Sequence, residues 1–281
     1  MLKQRITTAL VLLALLLPAL FYPRFEAFAA ITLLLIAAGA WEWGRLNGLP
    51  QAAALALGAA CVLLCGLAWA VGLLESALPL LWLCTGSAWV LASAWLLHAG
   101  APGWLRLPRA LRCLVGLCAL CVAWLAVAQA RVLGINFLLS VLLLVWMADI
   151  AAYFAGRAFG TRFIQRKLAP SISPGKSWEG VVGGMLGVLL MAAVWVWADA
   201  ALQASVPSFY TRLVTKGWAY TGLALVFMVA MSVAGDLVES LIKRAAGAKD
   251  SSGLLPGHGG VLDRVDALLP ALPLALMLSI L

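Results

Sequence analysis

Residues 134–156 read GINFLLSVLLLVWMADIAAYFAG, an apolar run that carries one charged group, Asp149. An α-helix of about 20 such residues matches the hydrocarbon thickness of a bilayer. A membrane β-barrel would instead alternate apolar and polar residues in segments of about ten. The pattern recurs along the chain, and the reading is nine spans: 6–22, 27–46, 52–73, 78–98, 111–130, 134–156, 179–198, 217–238 and 261–281. Composition agrees. The chain has 281 residues, 65% of them hydrophobic and only 11% charged, with a mean hydropathy of +1.05. A water-soluble domain of this size would need a more polar surface. The fold class expected is all-α, a polytopic transmembrane helical bundle. Lys3 and Arg5 precede the first run, but that run is longer than a signal-peptide core and lacks a small-residue cleavage site, so it is read as a retained span.

Orientation follows from the basic residues, which favour the cytoplasmic side. With the N-terminus in the cytoplasm, 15 of the 19 Lys and Arg residues fall inside, and only Arg24, Arg131, Arg212 and Lys216 fall outside. The net charge of +8 is then concentrated on one face, where anionic lipid would attract it. The cysteines Cys61, Cys65, Cys84, Cys113, Cys118 and Cys121 lie in or beside apolar runs and read as small apolar fillers. No repeat, low-complexity tract or soluble domain is evident. Residues 1–281 form one membrane domain, with scaffold-like spans in 1–130 and chemistry in 131–281. Trp41, Glu42 and Trp43 sit at the inner end of the second span, where an aromatic belt is expected.

The polar residues of the second half share one depth. Asp149 lies about two turns, roughly 10 Å, from the inner end of its span. A basic loop, 157–178, follows and ends in SPGKSWEG (173–180). Pro174 and Gly175 make a turn there, Lys176 supplies charge, and Ser173 and Ser177 supply hydroxyls. Ser177 also suits the N-cap of the next helix, with Glu179 near its positive end. In the eighth span Asp236, Glu239, Ser240 and Lys243 fall on one helical face. Residues 240–266 then read SLIKRAAGAKDSSGLLPGHGGVLDRVD. The glycine-rich turn Pro256-Gly257-His258-Gly259-Gly260 precedes a helix that opens with Asp263 and Asp266. Glycines let backbone approach an anion, and first-turn N–H groups point at it. Lys243, Arg244, Lys249 and Arg264 would hold phosphates, and Asp149, Asp236, Asp263 and Asp266 are oxygen ligands of the kind Mg²⁺ prefers. His258 would orient or protonate a phosphate oxygen. Ionisable groups beside a bilayer are functional candidates by default.

The run S-x-x-K-R-x4-K-D followed by P-G-H-G-G-x-x-D-R-x-D resembles the signature of the phosphatidate cytidylyltransferase (CDP-diacylglycerol synthase) family, and DIAAYFAGRAFG and SPGKSWEG resemble its upstream segments. That family more often has Lys and Thr where this chain has Gly175 and Ser177. The resemblance covers about residues 145–266. It implies an integral enzyme of the inner membrane, facing the cytoplasm, that converts CTP and phosphatidic acid to CDP-diacylglycerol and pyrophosphate with Mg²⁺. It further implies a homodimer, a metal centre on Asp236 and Asp263, and a supporting K⁺; nucleic acid is not an expected partner. Lipid phosphate would attack the α-phosphorus of CTP, and the barrier would be mostly charge repulsion and positioning. Asp149 and Asp266 would be secondary ligands or support them. Lys167 and Lys176, with Ser173, Ser177, Ser240, Gly257, Gly259 and Gly260, would contact the substrates. The alternatives are a CTP-dependent polyprenol or phytol kinase and an ion-coupled transporter. The first would need a base for a neutral hydroxyl. The second would place polar sites at mid-membrane in both halves.

Overall fold

The computed structural model describes residues 2–280, with side chains from residue 4 onward; the Lys3 side chain and the last residue of the expected ninth span lie outside the described residues. The elements are all helical: α1 (Leu2–Phe21), α2 (Phe25–Leu46), α3 (Gln51–Ala70), α4 (Pro79–Arg106), α5 (Arg109–Leu133), α6 (Ile135–Phe159), α7 (Trp178–Ala201), α8 (Phe209–Val214), α9 (Trp218–Ala245), α10 (Leu262–Val265) and α11 (Leu268–Ile280). Two isolated β-bridges, Ala169 with Ser173 and Leu255 with Gly259, close loops and make no sheet.

Among the described residues eight helices, α1 to α7 and α9, are long and apolar enough to cross a membrane. The expected ninth span is split. α11 has 13 residues, about 20 Å at 1.5 Å per residue, short of a core of about 30 Å. Pro270 explains the break. It cannot donate to the carbonyl four residues back, so the Asp266 carbonyl loses its helical partner, whereas Pro273 lies inside α11, which runs on through it. The Asp266 carbonyl and the Pro270 ring instead pack against α9 at Gly235. The α10–α11 segment runs antiparallel to α9. Asp263 meets Lys243 at one end, and at the other the Leu278 carbonyl accepts from Lys216 (2.9 Å) and Tyr220 (3.2 Å). Almost every residue from Leu269 to Leu276 is buried, so this broken segment forms the centre of the bundle, flanked by α4, α5 and α9.

Two other boundaries moved. α4 continues to Arg106 across a break at Gly100 (φ 68°, ψ −172°), so the loop expected after residue 98 is largely helical. α9 runs on to Ala245, which puts Lys243 and Arg244 on its last turn. α6 and α7 pack closely because Gly180, Gly183, Gly184 and Gly187 of α7 face Ala152, Ala155, Ala148 and Ala151 of α6, the small-residue contact that lets membrane helices approach.

The ends of the bundle differ in kind. At one end the start of α1, the end of α2, the start of α5 and both polar loops meet: Thr8 donates to the Pro256 carbonyl, Trp43 to the Arg112 carbonyl and Arg244 to the Ile172 carbonyl. The opposite end holds Arg131, which donates to the carbonyls of Leu20 in α1 and of Tyr22 just past it, and Asp199, which ties Asn136, Ser208 and Thr211.

Candidate active site

The glycine-rich loop between α9 and α10 is held from within by two carboxylates. Glu42, fully buried on α2, accepts from the backbone N–H groups of Val261 (2.9 Å) and Leu262 (2.8 Å) and from the hydroxyls of Ser251 (3.2 Å) and Ser252 (2.5 Å). Asp263 accepts on one oxygen from Gly260 N–H (2.7 Å), Ser251 N–H (2.9 Å) and the Ser251 hydroxyl (2.8 Å). Its other oxygen takes Lys243 at 2.6 Å. The turn amides expected to face a phosphate therefore face side-chain carboxylates. The glycines shape the loop. Gly257 and Gly259 adopt φ of 75° and 82°, a region costly for other residues, and a Cβ on Gly260 would strike Ser251 Oγ and Glu42 Oε1.

Lys243 sits between Asp263 and Glu239, 2.5 Å from the latter. All three are largely buried, and the arrangement joins the last turns of α9 to α10. Burial pushes the Asp263 carboxyl up, but the Lys243 ammonium and the Gly260 and Ser251 donors outweigh it and hold that carboxyl below its usual range. Asp263 is thus a fixed anion with its donors supplied by the protein.

Asp236, one turn before Glu239, is in a different situation. Its side chain is 30% exposed and its partners are Lys176 at 2.5 Å and Ser240 at 3.2 Å. It lines a cavity of about 430 Å³ between α6, α7, α9 and the basic loop, together with Asp149, Arg157, Gly175, Lys176 and Ser177. The sequence placed Asp149, Lys176, Ser177 and Asp236 at one depth, and the structure brings all four to one cavity. Ser177 caps α7, accepting from Gly180 N–H at 3.2 Å. Glu179 is buried and accepts from the N–H groups of Phe163 (3.0 Å) and Ile164 (2.8 Å), which fixes the basic loop over the cavity.

The remaining sequence candidates do not line this cavity. Arg244 spans to the Ile172 and Ala248 carbonyls, and Arg264 to the His258 carbonyl. Lys249 is exposed and Lys167 and Ser173 are half-buried in their loops. His258 Nδ1 is buried without a partner. Asp266 accepts from the Ala267 N–H at 2.8 Å. The residue that sequence reasoning missed is Glu42. The available signal was a carboxylate in an apolar span bracketed by two tryptophans.

The donor set around Asp236 and Asp149 is oxygen only, which suits a hard cation. An ammonium, Lys176, already stands against Asp236 where positive charge is wanted. A helical bundle of this apolar character, with anion-matching cations and cation-matching carboxylates at one end, is an integral membrane protein equipped for phosphate chemistry at a membrane edge. The chain belongs to the cytidylyltransferase family, which matches residues 3–281. It is similar to the phosphatidate cytidylyltransferase of Pseudomonas aeruginosa, with 41% identity over 97% of this chain and 95% of that protein. The protein of the same name from Haemophilus influenzae is 49% identical over 50% of this chain and 44% of its own length. That from Bacillus subtilis is 36% identical over 50% and 46%.

Proposed function

We propose that this protein is a phosphatidate cytidylyltransferase that makes CDP-diacylglycerol and pyrophosphate from CTP and phosphatidic acid at the inner, cytoplasmic face of the membrane. The observation that carries the reading is the cavity shared by Asp236, Asp149 and Lys176 at the bundle end where both signature loops meet. Family membership and the named relatives support the chemistry, and the excess of Lys and Arg at that end supports the orientation. Homodimerisation belongs to the same proposal.

The residues fit Mg²⁺. Asp236 and Asp149 would hold it, with Asp266 close enough to feel both charges, and Asp263 would support the site through its contact with Lys243. When bound, the cation offsets the mutual repulsion of the phosphates and stabilises the departing pyrophosphate. The protein's own groups do the rest. Lys176, displaced from Asp236, receives a phosphate oxygen, and Arg157 at the cavity wall adds a second positive charge. Glu179 keeps the loop that carries Lys176 in register. Lys243 and Asp263 lock the end of α9 to α10 so that Asp236 keeps its position. The attacking lipid phosphate is already an anion, so no side chain has to remove a proton. K⁺ is proposed as a supporting ion.

A product assay tests this. Purified protein in detergent with CTP and Mg²⁺ is given phosphatidic acid or, in a separate reaction, a polyprenol, and is expected to form CDP-diacylglycerol, identified by its mass, from the first. Formation of a phosphorylated alcohol lipid and CDP would instead favour the kinase, and no lipid product from either substrate class would reject both.

A further inference from the structure

We propose that Cys61, Cys65 and Cys121 form a binding site for a soft, thiophilic metal ion between α3 and α5. The site is separate from the phosphate chemistry at the bundle end and does not depend on it. Along the chain the cysteines read as fillers, and the local pair is Cys118 with Cys121. The fold assembles a different set. Cys118 is exposed, whereas Cys121 meets Cys61, 60 positions away, with the sulfurs 3.7 Å apart. Cys65 completes the group, and the three Sγ atoms all lie within 4.8 Å of one another.

Local structure explains the arrangement. Cys61 and Cys65 are four residues apart on α3, so their side chains share one face, and both are buried. α3 packs on α5. From there Cys121, half-buried, closes the triangle while staying reachable from outside the bundle. A three-sulfur site with metal–sulfur bonds of about 2.3 Å has its sulfurs about 4 Å apart. The observed 3.7 Å edge and the 4.8 Å bound bracket that spacing, so an ion fits the centre of the triangle with small side-chain rotations.

The group holds three thiols and no His, Asp or Glu among the described residues. Sulfur-only donors select soft ions such as Cu⁺ and Cd²⁺ and discriminate against Mg²⁺, which takes oxygen. Each thiol that becomes a thiolate releases its proton, and net charge at bilayer depth is costly. The favoured complex is therefore neutral: one proton leaves for Cu⁺ and two for Cd²⁺, and the remaining sulfurs bind as thiols. The consequence lies in packing. α3 buries only Ala54, Gly58, Cys61 and Cys65, so half of its buried face would be ligand. The ion would tie this lightly held helix to α5, and binding to the folded state alone raises stability.

The test uses the full chain in detergent, with a phosphine reductant to keep the thiols reduced and Cd²⁺ as the probe. Thiolate-bound Cd²⁺ has an ultraviolet charge-transfer band that carboxylate-bound Cd²⁺ lacks, so the Asp236 cavity does not interfere. One Cd²⁺ per chain is expected by this band, unaffected by excess Mg²⁺, with a rise of several degrees in the unfolding midpoint. A chain carrying Cys84→Ser, Cys113→Ser and Cys118→Ser together is expected to behave as wild type. Cys65→Ser and Cys121→Ser are each expected to weaken binding by about 100-fold or more, since a direct ligand counts for more than its supporting partners, and to abolish the thermal shift. Wild-type affinity in both single variants overturns the proposal. So does loss of the band in a folded triple variant, or a folded wild type that shows no band. Should a single variant fail to fold, alkylation of the wild-type chain decides, read by peptide mass. Cd²⁺ is expected to slow alkylation of Cys121 and not of Cys84 or Cys118, and equal rates at Cys121 with and without Cd²⁺ overturn the proposal. No step requires turnover, so the result is independent of the reaction assigned above.

Discussion

Asp236 and Asp263 have the same side chain and lie at the same end of the bundle, yet the fold uses them oppositely. Asp263 is enclosed, with four donors from its own chain on its two oxygens. Asp236 faces a cavity and is held by one lysine and one serine. The difference comes from what each helix packs against. The turn at α10 folds back over Ser251 and Glu42, so both carboxylates there, Glu42 and Asp263, are satisfied by the chain itself. The Asp236 turn of α9 faces the gap left between α6, α7 and the basic loop. A carboxylate that the protein has already neutralised builds structure, whereas one with a single displaceable partner can exchange that partner for a ligand.

Several substitutions sharpen or break this contrast. The largest effect is expected for Asp236→Asn, a loss of about 100-fold or more in CDP-diacylglycerol formation with the thermal unfolding midpoint nearly unchanged. Asp263→Asn is expected to lose activity and stability together. Lys243 keeps Glu239 as its ion pair, but the Asn amino group must face either Lys243 or the Ser251 and Gly260 donors, and leaving buried donors unpaired costs about 1–3 kcal/mol, seen as a lower unfolding midpoint in detergent. Equal stability of the two variants would erase the distinction. Glu42→Gln keeps the size of the side chain but removes a charge that holds two amides and two hydroxyls. A loss of about 2–3 kcal/mol is expected, with faster protease cleavage in the loop 246–262. Lys176→Met is expected to be the mildest in stability, within about 1 kcal/mol, since partly exposed ion pairs contribute little. Its effect should appear in the KM of a phosphate substrate.

The sequence showed the helical bundle and most of the span limits because apolar runs of bilayer length admit few alternatives. It also placed Asp149, Lys176, Ser177 and Asp236 at one depth, which the fold converts into one cavity. It did not reveal the break in the last segment, although Pro270 was visible, because an apolar run reads as a span whether or not its hydrogen bonds are continuous. Nor did it reveal what the glycine-rich turn faces. Glycines and first-turn amides admit an anion of any origin, and here that anion is Glu42, more than 200 positions away in the chain. Pairings at such separations depend on packing, which neither periodicity nor local motif encodes.

The central claim is that the open carboxylate, Asp236, seats the divalent cation. Titration with Mn²⁺, a paramagnetic substitute for Mg²⁺, followed by electron paramagnetic resonance on the purified full chain tests it without turnover. The account predicts specific Mn²⁺ binding in the wild type, its retention in Lys176→Met and its loss in Asp236→Asn. Undiminished binding in Asp236→Asn would contradict it.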